Sequence, residues 1–158
     1  MTVAEARARL DRLWHRGQEF LGCEYTILGG AMTWLSEHNL VAAISDGGGF
    51  GVLACGSMTP DLLGQEIDRL AEITEKPFGV NLILMHPELD ALADVCLERK
   101  VGHVVLAGGL PRKGIIERLK QGGARVLCFA PTLKLAGKLV KLGADALIIE
   151  GMEAGGHI

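Results

Sequence analysis

The sequence predicts an α/β fold, an incomplete TIM (β/α)8 barrel with about six parallel strands, five intervening helices and an N-terminal helix. Three observations carry that expectation. Short apolar runs alternate with amphipathic helical segments in units of roughly 22–28 residues. The runs are continuous in their apolar character instead of alternating, which suits strands buried on both faces of a parallel sheet. Glycine-rich or polar residues follow nearly every run, as where many loops at one end of a barrel share a ligand. An open doubly wound sheet is the competing arrangement, and six strands suit it by count. It would place GxGxxG directly after the first strand, where this chain has Gly29-Gly30-Ala31-Met32.

The segment 2–20 reads as an amphipathic helix. Thr2 and Glu5 fit a capping box, Val3, Ala6, Leu10, Leu13 and Trp14 share a face, and Gly22 ends it. The expected organisation is therefore an N-terminal helix over residues 1–21 and a partial barrel over 22–158. In the barrel, the run 25–28 is a strand followed by Gly29-Gly30, and 35–45 is helical. Gly47-Gly48-Gly49 reads as a helix-ending turn before a strand at 50–55. Thr59-Pro60 is a cap with a first-turn proline, and Leu63, Ile67, Leu70 and Ile73 supply that helix's buried face before Pro77 closes the unit.

The next strand spans 78–84, followed by a helix over 87–100 with Leu89, Leu92 and Cys96 in register. A strand at 103–106 ends in Ala107-Gly108-Gly109, with a helix around 113–121. A strand at 125–129 precedes a helix over 132–142, in which Leu135, Leu139 and Leu142 align. The last strand, 146–149, leads into Ala154-Gly155-Gly156-His157.

Bulk properties exclude several classes. A net charge of −3 offers no general attraction to phosphate backbones or anionic membranes, so neither nucleic acid nor membrane is an expected partner. No uninterrupted apolar run reaches the length of a membrane span, and the charged N-terminus lacks a signal peptide's apolar core. Cys23, Cys55, Cys96 and Cys128 form no CxxC pair; they read as reduced thiols of a cytoplasmic protein, not as zinc ligands. The 22 glycines are about twice the average share. They cluster after apolar runs, where a backbone can meet a ligand closely.

The strongest chemical signal is Glu150-Gly151-Met152-Glu153-Ala154-Gly155-Gly156-His157, directly after an apolar strand. Glycines let backbone approach a flat ring or a phosphate. A histidine at the C-terminal end of a barrel strand sits where such enzymes place active-site groups, and its pKa range suits proton abstraction. A surface histidine in a glycine-rich turn is the alternative. Asn81 interrupts an apolar strand, and its amide can both donate to and accept from a ligand edge; bonding to neighbouring loop backbone is the alternative. Gly29, Gly30, Ala31 and Met32 read either as a backbone wall against a cofactor or as a plain helix-entry turn. Glu150 is either a ligand contact or a carboxylate holding its loop. His15, His38, His86 and His103 show no metal spacing and are expected to be surface or structural residues. Lys134, Lys138 and Lys141 read as a solvated face, and Trp14 and Trp34 as packing residues.

Taken together, Ile27 to Met32, Gly48 to Leu53, Lys76 to Leu82, and Gly143 to Ala146 continuing through Glu150 to His157 resemble the nitronate monooxygenase family. This family, formerly called 2-nitropropane dioxygenase, includes the flavin-containing enoyl-acyl-carrier-protein reductases. The resemblance covers about residues 22 to 158 and implies a (β/α)8 barrel binding FMN non-covalently at the C-terminal end of its strands. It implies that Gly29, Gly30, Ala31 and Met32 flank the isoalloxazine ring, that Asn81, Glu150, Gly155 and Gly156 line the flavin site, and that His157 is the catalytic base or proton carrier. It further implies oxidation of alkyl nitronates with O2, or, alternatively, enoyl-thioester reduction with NAD(P)H as reductant. A small-molecule substrate and, as one option, a homodimer follow from the same likeness.

Two departures are visible. The nitronate-type pattern has glutamine at Glu150, and the run to Ile158 is closer to the enoyl-reductase branch. Ala31, between glycine and methionine, departs from both branches. Six strands are also short of the eight, and of the about 250 residues, that a barrel needs. The resemblance places the FMN phosphate in the loops after the seventh and eighth strands. The sequence therefore reads as a truncated piece, expected to be poorly stable and weakly active alone; an inactive remnant is the further alternative.

Overall fold

The computed structural model describes residues 2–112, 114–151 and 153–155. Helix α1 (Val3–Leu21) starts on the expected capping box: the Thr2 hydroxyl accepts from the Glu5 amide, and the Glu5 carboxylate accepts from the Thr2 amide at 2.7 Å. Gly22, at φ +74°, ends it and donates to the Gln18 carbonyl.

Five βα units and a final strand follow: β1 (Leu28–Gly29), α2 (His38–Asp46), β2 (Phe50–Ala54), α3 (Pro60–Ile73), β3 (Phe78–Ile83), α4 (Leu89–Glu98), β4 (His103–Ala107), α5 (Ile115–Gln121), β5 (Arg125–Phe129), α6 (Leu133–Lys141) and β6 (Ala146–Ile148). The six strands form one parallel sheet in sequence order, β1 to β6. A doubly wound sheet reverses its strand order at a switch point. This one never does, so the chain winds one way around and makes the arc of a barrel.

The two faces of the sheet divide the core accordingly. Leu53, Val80, Leu82, Val104, Leu106, Val126 and Cys128 point towards the helices and join Val41, Leu63, Leu70, Leu92, Leu119 and Leu139 in the large core. Burying each such leucine contributes about 1.5–3 kcal/mol. On the concave face Phe50, Val52, Val105 and Leu127 form a smaller cluster with Leu21, flanked by Phe20. The end of α1 is thus a plug. His103 and Arg125, which begin β4 and β5, both bind the Phe20 carbonyl, so the plug sits at the N-terminal end of the strands. The opposite end is left to the loops.

Several boundaries differ from the sequence expectation. β1 is only two residues long because it lies at the sheet edge. α2 begins at His38 and not near Leu35, because the Leu35 and Ser36 amides both turn back to the Met32 carbonyl. The apolar stripe of α1 is largely uncovered: Val3 is 88% and Leu13 71% exposed, since only the last turn of α1 enters a core cluster. Trp14 does pack, edge-on to Tyr25 with ring centroids 6.0 Å apart. Trp34 does not: it is 76% exposed, carried outward by a turn in which it takes φ +69°. The four cysteines are free, with Cys55, Cys96 and Cys128 buried and Cys23 half-buried. No described helix is long and apolar enough to cross a membrane.

Candidate active site

The loop after β1 is held by one buried side chain. Ser36 Oγ donates to the Gly30 carbonyl (3.1 Å) and accepts from the Met32 amide (2.9 Å), while the Ser36 carbonyl accepts from the Ala54 amide at the end of β2. Gly29 and Gly30 differ in purpose. A Cβ on Gly29 would meet the tip of the Ile44 side chain, so Gly29 lies close under α2. Around Gly30 no atom lies within 4 Å of where a Cβ would stand, so its backbone faces open space. Ala31 is half-buried beside the concave cluster, and Met32 is exposed.

Asn81 lies on β3 between Val80 and Leu82, which face the helices, and so belongs to the concave face. In register it stands between Ala54 of β2 and Val105 of β4. It is buried, at 9% exposure, yet among the described residues its side-chain amide makes no hydrogen bond; only its backbone carbonyl is used, accepting from the Cys55 thiol at 2.9 Å. The amide atoms are not sealed from solvent, so Asn81 presents a free donor and acceptor to water or to a polar ligand edge.

The structure therefore brings Gly30, Ala31 and Met32, which follow β1, and Asn81, two strands away on β3, towards one end of the sheet. Glu150 is exposed two residues beyond β6, across the arc, and Gly155 is exposed with nothing within 4 Å of a Cβ position. Gly156 and His157 lie outside the described residues.

A second polar cluster escaped the sequence reading. His38 Nδ1 lies 2.7 Å from Glu66 Oε2 and 3.0 Å from Glu37 Oε2, and the His38 amide donates to Glu66 as well. Glu66 is 5% exposed, on the buried face of α3. Burial pushes its carboxyl up, but the bonds from His38 and the charge of Arg69 outweigh this and hold it below the usual carboxylate range. The three ligand atoms lie within 4.8 Å of one another, close enough for a cation. The carboxylates are already satisfied, however, by His38, Arg69 and the Asn39 and Leu40 amides. The cluster is the tie between α2 and α3. Its only signal in the sequence is a glutamate beside Ile67 on an apolar face; the partner His38 is 28 residues away.

The cysteines offer no nucleophile. Burial pushes the Cys55 and Cys96 thiols up to about 12 and the Cys128 thiol up to about 11, far from the thiolate range.

The sequence profile of nitronate monooxygenase matches residues 15–99 and 90–158. The chain belongs to the nitronate monooxygenase family. Among curated relatives, it is 35% identical over 141 residues to the (3aS,4S,5R,7aS)-5-hydroxy-7a-methyl-1-oxo-octahydro-1H-indene-4-carboxyl-CoA dehydrogenase of Mycobacterium tuberculosis, covering 88% of this chain and 39% of that protein. Among solved structures, it superposes on FabK from Thermotoga maritima with a TM-score of 0.87 at 43% identity, over 90% of this chain and 46% of that one. Nitroalkane oxidase from Streptomyces ansochromogenes follows with a TM-score of 0.81 at 32% identity, over 89% of this chain and 50% of that one. The chain thus spans 39% of that curated relative and 46–50% of the two structures. The fold of this nitronate monooxygenase family member is a half-barrel of the TIM type. The start of α1, before residue 15, lies outside the family match.

Proposed function

We propose that the protein binds FMN at the C-terminal end of the half-barrel and is an oxidoreductase that oxidises alkyl nitronates with O2. The unpaired Asn81 amide carries this reading. Among the described residues it has no side-chain partner, and it stands two strands from the open backbone of Gly30, in a chain of the nitronate monooxygenase family. The residues fit a flavin in two respects. Gly30 leaves the space a flat ring would need, and Asn81 supplies the bifunctional edge that a pyrimidine portion would use.

In this proposal Gly30, Ala31 and Met32 form a wall beside the ring, Asn81 orients it, and Glu150, Gly155 and Gly156 close the site from the far side of the arc. FMN, when bound, supplies the two-electron oxidation and the passage of electrons to O2. His157 takes the α-proton of a neutral nitroalkane, forming the nitronate beside the cofactor, and returns it to solvent. A cytoplasmic setting, where thiols stay reduced, suits the four free cysteines.

A second reading, enoyl-thioester reduction with NAD(P)H, is favoured by one observation: Glu150 replaces the glutamine of the nitronate-type pattern. One experiment separates the two. The protein is gel-filtered with FMN, and the retained flavin is mixed anaerobically with an alkyl nitronate or with NADH. Bleaching by the nitronate, followed by oxygen uptake, supports the proposal. Bleaching by NADH alone supports the second reading, and failure to retain flavin rejects both.

A further inference from the structure

We propose that the cavity walled by Trp34 receives the apolar chain of the substrate, and that Trp34 sets how long a chain is accepted. The proposal rests on the flavin oxidoreductase reading above. Three observations meet here. First, Trp34 takes φ +69°, a region that bulky residues rarely adopt. The other described non-glycine residue with positive φ, Lys100, follows the end of α4, where left-handed backbone is ordinary. Trp34 has no such excuse; strain of this kind is concentrated at ligand clamps.

Second, the strain does not serve packing. Trp34 is 76% exposed, yet its turn is locked by the buried Ser36, which binds the Gly30 carbonyl and the Met32 amide. The fold holds a large aromatic ring outward in a fixed place, two residues from the wall proposed for the flavin. Third, Trp34 borders a cavity of about 170 Å³ between the loops after β1 and β2, lined by Ala54, Met58 and Leu62 and by the polar Ser36 and Ser57. Glu37 and Glu66 reach the same cavity, but their carboxylates already bond His38, Arg69 and the Asn39 and Leu40 amides, so they do not demand a cationic guest. An apolar cavity of about 150 Å³ holds a benzene molecule, so this one holds a chain of about six carbons. Met58 and Trp34 are suited to a flexible aliphatic guest, the first by its soft thioether and the second by its flat face.

The test uses flavin-loaded protein and primary alkyl nitronates from ethyl to octyl. In the wild type kcat/KM should rise roughly fourfold per added methylene until the cavity is full, and then level. Trp34→Ala should flatten that slope, while Trp34→Phe should restore part of it. Trp34 is exposed and outside the core, and circular dichroism checks that its variants fold.

A binding measurement covers the case in which nitronates are not substrates. Only two tryptophans are present, so Trp14→Phe leaves Trp34 as the sole tryptophan, excited selectively on the red side of tyrosine absorption. Straight-chain carboxylates of increasing length, which carry the nitronate charge but are not oxidised, should shift its emission progressively to the blue. A length-dependent shift without nitronate turnover rejects the nitronate reading and retains the cavity's role. Parallel slopes in wild type and Trp34→Ala, or an emission indifferent to chain length, overturn the proposal.

Discussion

His103 Nε2 lies 2.8 Å from the Phe20 carbonyl oxygen, across 83 residues of sequence, and this bond fastens the end of α1 to the first residue of β4. The imidazole is wedged between the Phe20 and Phe50 rings, with centroids 5.6 and 4.9 Å away, and Arg125 binds the same carbonyl from β5. His103 Nδ1 is the one buried polar side-chain atom among the described residues without a partner. Burial lowers the His103 pKa; the bond to Phe20 opposes this, and the Arg125 charge adds to the lowering. The folded state therefore favours the neutral ring. Its stabilising contribution is complete above the unfolded pKa of about 6.5 and is lost as pH falls through the lowered folded value. Thermal melts from about pH 8 to about pH 5 should show falling stability in the wild type, and His103→Asn should remove that part of the dependence. His103→Ala should cost about 2–4 kcal/mol at neutral pH.

Gly51 should tolerate no side chain. A Cβ there would stand 2.5 Å from the Val41 carbonyl oxygen and 3.0 Å from its Cα, so the backbone of α2 rests directly on β2. Gly51→Ala is expected to cost about 2–3 kcal/mol in urea denaturation, because helix backbone cannot yield as a side-chain tip can. Gly30→Ala, with open space around it, is expected to change stability by less than about 0.5 kcal/mol while weakening flavin retention.

His38→Ala would leave the buried Glu66 carboxylate without its closest partner. We expect a loss of about 1–3 kcal/mol, read by denaturant titration. Glu66 is held below its ordinary carboxylate pKa in the fold, so its contribution is present above the unfolded value of about 4.3 and disappears as pH falls through the folded one. Glu66→Gln should flatten that acid limb of the stability curve.

Asn81→Ala should weaken FMN retention about 5- to 30-fold, the equivalent of one or two hydrogen bonds, with little effect on the melting temperature of the flavin-free protein. A large stability loss with unchanged flavin affinity would show instead that the amide serves the fold.

His157→Asn should leave FMN bound and lower kcat for neutral nitroalkanes about 10²- to 10⁴-fold, as expected for a lost general base. Turnover of preformed nitronates should fall much less, since they arrive already deprotonated. Equal losses on both substrates would reject proton abstraction as its role.

The sequence by itself determined the order and type of the elements, because that information is local. Thr2 with Glu5 and Thr59 with Pro60 announce their helices through capping chemistry that acts within one turn. Continuous apolar runs such as Phe78–Ile83 announce strands covered on both sides. Asn81 and Gly30 could be singled out because a polar residue in an apolar strand and a glycine after it are local anomalies. What remained undetermined depends on separations that no short pattern records. Only the tertiary structure decided that the strands run in unbroken order and so bend into an arc. Only it joined His38 to Glu66 and His103 to Phe20, and only it showed that Gly29 answers to Ile44 while Gly30 answers to open space. Trp34 is the clearest case. Its aromatic character suggested burial, but whether a ring packs or stands free is settled by the backbone angle at one residue and by the serine that locks the turn around it.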